Sequence, residues 1–167
     1  MVICERVPEY DDSIGRLNDL AFGGRYESQL AADLRATGLS AVELVADEQT
    51  AIVGHILFSA LEVTLDQEPI RVLAVAPMSV RPDHQRRGIG SVSVRAGLER
   101  AREQGWQAVI VLGHREYYPR FGFSAELAQT LQAPFSGNGL MALELVAGAL
   151  QGNGGRVAYP PAFGIGS

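Results

Sequence analysis

The sequence contains no lysine: all 14 of its basic residues are arginine. Arginine stays protonated near neutral pH, so none of these residues can serve as a general base. The absence of lysine also excludes Schiff-base chemistry and a Walker-type phosphate loop. Cysteine is nearly absent. The single Cys4 cannot form an internal disulfide, which suits a reducing cytoplasm. In the apolar run Val2-Ile3-Cys4 it reads as a buried thiol. The three histidines and Cys4 are scattered without metal-ligand spacing, so no metal site is expected. Positive charge is not in excess either. A net charge of −5 speaks against a broad nucleic-acid-binding face. No apolar run reaches membrane-spanning length, and the N-terminus lacks a basic stretch followed by a long apolar core. Neither a membrane partner nor a signal peptide is expected. Internal repeats, coiled-coil heptads and low-complexity tracts are also missing.

What is present suits one folded unit. The 167 residues, 47% hydrophobic and 20% charged, fit a single domain over 1–167, with residues 148–167 as a C-terminal tail packing on it. Residues 2–7 read as a first strand. Residues 10–22 carry Ile14, Leu17, Leu20 and Ala21 at helical spacing, and Gly23-Gly24 stops that helix. Residues 28–37 form a second helix with Leu30 and Leu34 on one face. Three strands follow at 41–46, 51–65 and 70–80, joined by polar turns at 47–50 and 66–69, which predicts an antiparallel meander. Pro77 lies inside the third of these. Proline cannot donate to a ladder, so the sheet should bulge or part near that residue.

Residues 88–104 read as a helix whose inward stripe is Gly90, Val94, Gly97, Leu98 and Ala101, with Arg95, Glu99 and Arg102 solvated. The wholly apolar run 108–112 predicts a strand at the sheet centre, and strand–helix–strand at this spacing is a βαβ crossover. A short helix over 116–120, a strand entered through Phe121-Gly122-Phe123 and a last strand over 139–146 complete the expectation.

The loop Gln85-Arg86-Arg87-Gly88-Ile89-Gly90 carries the strongest chemical signal. It joins a strand to a helix, and its glycines let backbone approach a ligand closely. The first amides of a helix have no internal acceptor, and the helix dipole adds positive charge there. That combination suits a pyrophosphate. Arg86 and Arg87 add charge, and a third glycine at Rossmann spacing is missing.

The loop matches Q/R-x-x-G-x-G/A. Together with Ala76-Pro77-Met78-Ser79-Val80-Arg81-Pro82 and Tyr117-Tyr118-Pro119-Arg120-Phe121-Gly122-Phe123, it resembles the GNAT superfamily of acyl-CoA N-acyltransferases. In element order the resemblance spans residues 1–147, and it is specific over 76–123. The tail through Tyr159-Pro160-Pro161-Ala162-Phe163 is similar to that of a bacterial, largely uncharacterised subgroup.

The resemblance implies an α/β fold: a mixed, mostly antiparallel central sheet flanked by helices, with a split between two central strands. It implies transfer of an acetyl or other short acyl group from acyl-CoA to a primary amine by direct attack. The backbone of Met78, Ser79 and Val80 would hold the pantetheine arm. Residues Gln85, Arg86, Arg87, Gly88, Ile89 and Gly90, helped by Ser91, would hold the pyrophosphate, and Tyr118 would protonate the departing thiolate. By the same analogy the segment 25–35, with Glu27, would line the acceptor site. Glu27, His55, His114 and Glu116 are candidate bases by residue type, each with a plainer structural reading, and water-mediated deprotonation is an alternative. His84 could touch a CoA phosphate or lie idle on the surface. The implied partners are acetyl-CoA and an unidentified amine, with a tail that could pack across a homodimer. A CoA-binding or regulatory module without catalysis is the rival reading.

Overall fold

The computed structural model describes residues 1–134 and 139–164. Its elements run in chain order as β1 (Val2–Glu5), α1 (Asp11–Phe22), α2 (Tyr26–Ala36), β2 (Ser40–Glu48), β3 (Ala51–Leu65), β4 (Glu68–Val80), α3 (Ile89–Glu103), β5 (Ala108–Leu112), β6 (Leu131–Gln132), β7 (Leu140–Glu144) and β8 (Gly155–Ala158). The strand order is β1-β2-β3-β4-β5-β7, with β8 pairing with both β3 and β6. The β4–β5 and β6–β8 pairs are parallel, whereas β1–β2, β2–β3, β3–β8 and β5–β7 are antiparallel. This is the expected mixed, mostly antiparallel sheet flanked by helices. The chain forms two compact units: residues 1–59 with 76–101, and residues 60–75 with those from Arg102 onward.

In the first unit, α1 buries Ile14, Leu17 and Asn18. Leu20, expected on the inward stripe, is 61% exposed, and a buried asparagine takes part in the packing instead. The helix stops at Gly23, whose amide donates to the Asp19 carbonyl at 2.9 Å. Helix α2 begins two residues earlier than expected and buries Leu30, Ala31 and Leu34. Strands β2 and β3 turn through Gln49 and Thr50, both with positive φ, as a two-residue hairpin requires. Helix α3 packs on this sheet through missing β-carbons. A β-carbon at Gly97 would run into the Phe58 ring of β3, and one at Gly54 would crowd Ile89 at the start of α3 and Ala46 of β2. Ala46, Val53 and Ile89 form one buried cluster there, with Val80 of β4 against it.

In the second unit, β5 buries Ala108, Val109, Ile110 and Val111. It pairs with β7 along its whole length, from Ala108↔Glu144 to Leu112↔Leu140. Its parallel register with β4 covers only Val72↔Ala108 to Ala74↔Ile110. Beyond Ala74 the two strands share no register among the described residues, ahead of Pro77 in the cis peptide Ala76–Pro77. The expected parting of the sheet near residue 77 is therefore present in the strand pairing.

Three readings need correction. The chain turns at Asp66 and Gln67 and re-enters strand at Glu68, so Pro69 lies in β4 and not in a turn. The segment after Phe123 makes only an isolated bridge, Ser124↔Ala142, where a strand was expected. The tail, for which no strand was expected, contains β8, which pairs with β3 from Glu62↔Ala158 to Leu65↔Gly155. Asp66 anchors that return: its carboxylate accepts the amides of Asn153 at 3.1 Å and Gly154 at 2.9 Å. The last three residues of the expected tail, 165–167, lie outside the described residues.

The helix–sheet contact predicts opposite effects for two glycine substitutions. Gly97→Ala should destabilise by about 1–3 kcal/mol, because the methyl group meets the Phe58 ring. Gly15→Ala, in α1 with nothing near its β-carbon position, should be neutral or gain about 0.5 kcal/mol. Urea unfolding of both variants against wild type checks the pair.

Candidate active site

After β4 the chain makes a 3-10 turn over Pro82–His84 and then the loop that precedes α3. Gln85 lies at its entry, with Nε2 donating to the Val80 carbonyl at 3.2 Å. Arg86 and Gly88 both adopt positive φ, 65° and 83°. These left-handed residues turn the backbone sharply just before α3. Glycine carries the larger angle without steric cost, whereas at Arg86 the conformation is uncommon for a residue with a β-carbon. The first helical bond runs from the Val92 amide to the Gly88 carbonyl at 3.0 Å. The first amides of a helix find no acceptor within it, and the positive end of the dipole lies at this start.

Charge around the loop is largely internally balanced. Arg81 Nε lies 2.9 Å from Asp83, and His84 Nδ1 lies 2.7 Å from the same carboxylate. The His84 hydrogen bond, with the positive Arg81 nearby, holds the Asp83 carboxyl below its ordinary pKa. Arg87 pairs with Glu48 of β2 at 3.2 Å. Arg86 is exposed and makes no ion pair among the described residues. One cation is thus left to meet a ligand beside the amides. On β4, Ser79 is buried and its Oγ has no hydrogen-bond partner among the described residues, while Met78 and Val80 are half-buried. Met78, Ser79, Val80, the loop and Ser91 all belong to the first unit.

Tyr118 belongs to the second unit, at the head of the 3-10 turn Tyr118–Phe121 that follows β5. Its amide donates to the His114 carbonyl at 3.3 Å. Its ring is 7% exposed and lies edge-on to Tyr117 at 5.1 Å and Phe123 at 5.7 Å, with Gly113 against it. Burial, with a smaller contribution from Tyr117, pushes the phenol's pKa up to about 12. His114 and Glu116 are exposed in the segment between β5 and that turn.

His55 is fully buried and belongs to a polar chain through the first core. Its Nε2 lies 2.7 Å from the Glu43 carboxylate, and its Nδ1 lies 3.2 Å from Asn18 Nδ2, which also donates to the Ile14 carbonyl at 3.1 Å. That geometry fits a neutral ring that donates from Nε2 and accepts at Nδ1. Arg35 Nη2 pairs with the same Glu43 oxygen at 2.6 Å, and its Nε donates to the other oxygen at 3.0 Å. Burial holds the His55 pKa down, although Glu43 opposes it. For Glu43, burial raises the pKa, but the hydrogen bonds from His55 and Arg35 outweigh it and bring the value to about 2. His55 is therefore enclosed and committed at both ring nitrogens, and its role is to join β3 to β2 and α1. The sequence reading missed Asn18 and Glu43. A period-2 count over β2 would have placed Glu43 on a strand face diagonal to His55.

Glu27 lies in the first turn of α2, half-buried. Nearby, α1 and α2 enclose an open groove of about 680 Å³ whose walls include Asp12, Arg16, Asp19, Arg25 and Ser28, but not Glu27. No group of three or more metal-ligating side chains occurs among the described residues, and no helix there is long and apolar enough to cross a membrane.

The mixed, mostly antiparallel sheet, the parting of β4 from β5 and the glycine loop ahead of α3 make a GNAT-like fold. The comparisons place it further. The family model described as "Acetyltransferase (GNAT) family" matches residues 12–123. An N-acetyltransferase of Escherichia coli K12, YhbS, described as uncharacterized, is 30% identical over 166 residues, 98% of each chain. A second from that strain, YjhQ, is 38% identical over 105 residues, 62% of this chain and 58% of that protein. Among solved structures, Escherichia coli YhbS in complex with CoA superposes with a TM-score of 0.89 at 28% identity, covering 98% of this chain and 91% of that one. A Brucella melitensis GNAT acetyltransferase in complex with acetyl-CoA gives 0.78 at 29% identity, covering 97% of each. The chain belongs to the GNAT acetyltransferase family and is an acyl-CoA-dependent N-acyltransferase.

The buried chain predicts acid lability. The folded-state pKa values of Glu43 and His55 both lie below their ordinary values, so each contributes stability above its ordinary pKa and loses it as pH falls. Unfolding free energy should therefore drop as pH falls through 6.5 and then 4.5 towards 2. Glu43→Gln should cost about 3 kcal/mol at neutral pH by stranding Arg35, and should flatten the acid dependence. Urea titrations at several pH values measure both effects.

Proposed function

We propose that the chain moves an acetyl or other short acyl group from acyl-CoA to a primary amine by direct attack, without a covalent enzyme intermediate. The observation that carries this reading is the loop Gln85, Arg86, Arg87, Gly88, Ile89 and Gly90, which turns through two left-handed residues into α3. Its amides and the unpaired Arg86 suit the CoA diphosphate. The likeness to GNAT structures solved with CoA and acetyl-CoA supports the donor. Backbone groups of Met78, Ser79 and Val80 would take the pantetheine arm along β4, where β5 no longer pairs, and Ser91 would support the phosphate end.

In the reaction the amine nitrogen bonds to the thioester carbon and the carbon–sulfur bond breaks. The nitrogen loses a proton and the sulfur leaves as thiolate. We assign Tyr118 to the departing sulfur. With its pKa pushed up to about 12, the phenol keeps its proton throughout the neutral range. The leaving thiolate has a pKa near that of cysteine, ~8.5, so full transfer from Tyr118 is uphill. Tyr118 therefore acts chiefly as a hydrogen-bond donor to sulfur, and solvent completes the protonation. Glu27 is proposed for the acceptor side. Water carries the ammonium proton away, since His55 is enclosed.

Three measurements test this. A panel of amines with a thiol-detecting reagent should release CoA with at least one acceptor; binding without turnover on any amine would favour a non-catalytic CoA-binding module. Gly90→Val should abolish acetyl-CoA binding in calorimetry while the melting temperature stays close to wild type; undiminished affinity would remove the loop from the site. Tyr118→Phe should lower kcat by about 10²-fold or less, with acetyl-CoA affinity little changed. Its raised pKa adds that kcat should not fall through Tyr118 ionisation below pH 10.

A further inference from the structure

Glu48 is the last residue of β2, immediately before the hairpin turn at Gln49 and Thr50. The cluster of Ala46, Val53 and Ile89 packs the end of β2 against the start of α3, which brings this carboxylate to the edge of the anion-binding loop. Its oxygens lie 3.3 and 3.2 Å from Arg87 Nη2, and Oε1 is 3.7 Å from His84 Nε2. The Glu48 side chain is 23% exposed and that of Arg87 52%, so the carboxylate is the better-anchored partner.

Among the described residues of the loop, Arg81 and His84 both lie against Asp83, and Arg86 makes no ion pair. A fixed carboxylate thus occupies one of the two adjacent arginines of the loop and lies in the positive field at the helix start, where anions are favoured.

We propose that Glu48 is an internal competitor for the CoA diphosphate: it holds Arg87 in the ligand-free loop, gives it up when the diphosphate enters, and takes it back as CoA leaves. This rests on the assignment of the loop as the diphosphate site. Product and donor carry the same diphosphate, so tight binding at that group retains CoA after transfer as strongly as it recruits acetyl-CoA. A carboxylate competing for the same guanidinium weakens both equally and speeds product release. Glu48 is a positioning residue that acts through Arg87, and it does not touch the thioester.

Glu48→Gln removes the charge and keeps the shape. At low ionic strength it should tighten CoA and acetyl-CoA equally, by about fivefold, the upper range for an exposed ion pair. Stopped-flow release of CoA should slow by a similar factor, and the gain should shrink at about 0.5 M salt. Acetylated pantetheine, which lacks the diphosphate, should bind both proteins alike. In an Arg87→Ala background the substitution should have no effect. If Glu48 merely orders the loop, Glu48→Gln will bind CoA more weakly than wild type, or unchanged, and the proposal is overturned. Wild-type binding that is lost in Gly90→Val establishes the loop independently. If wild type binds but Gly90→Val binds equally well, the loop assignment falls, and the proposal with it.

Discussion

Two missing β-carbons, at Gly54 and Gly97, hold α3 against β3, and the site is built outward from that contact. Phe58 fills the space at Gly97, and Ile89 fills the space at Gly54. Ile89 is also the first residue of α3. Its burial therefore fixes where the helix begins relative to the end of β4, and so where the amides ahead of the first helical bond are directed. A bulkier residue at either glycine would lift the helix and redirect those donors without altering any residue of the loop. Packing and the course of the loop are one constraint in this unit, because Ile89 both closes the core and begins the helix.

Around that frame the protein manages charge by pairing. With no lysine, every cation is a planar guanidinium or a histidine, which can be held by a carboxylate in a defined geometry. In the interior this gives the chain from Asn18 through His55 and Glu43 to Arg35, which ties α1, β3, β2 and α2 together. At the loop it gives Arg81 and His84 on Asp83 and Arg87 on Glu48. The interior pairs are enclosed and serve stability. The loop pairs are more exposed than the interior ones, and exposed pairs contribute little energy.

Much of this was legible in the sequence because it is written locally. The run 108–112 has one reading, a buried strand, and β5 has those bounds. Strand β3 matches the expected 51–65 because polar turns flank it on both sides. Pro77 marked the parting of the sheet, since a residue without an amide proton is out of place in a continuous ladder. The parts that were hidden depend on distant partners. Strand β8 is four residues with a glycine at its start, and it exists because β3 and β6 offer edges to it. Leu20 fits the helical period yet lies exposed, while Asn18 is buried by its bonds to Ile14 and His55. At the site, the motif indicated the loop and Tyr118. It gave no hint of Glu48, 39 residues from Arg87 along the chain, or of the burial that makes Tyr118 a weak acid.

The central claim is that backbone amides at the start of α3 hold the donor's diphosphate. Amide-resolved NMR during titration with acetyl-CoA tests it most directly. The account predicts large shifts and strong protection from hydrogen exchange at Arg86, Arg87, Gly88, Ile89 and Gly90, with the amides of α1 little changed. Saturable acetyl-CoA binding that leaves those five amides unmoved, with shifts concentrated elsewhere, would contradict it.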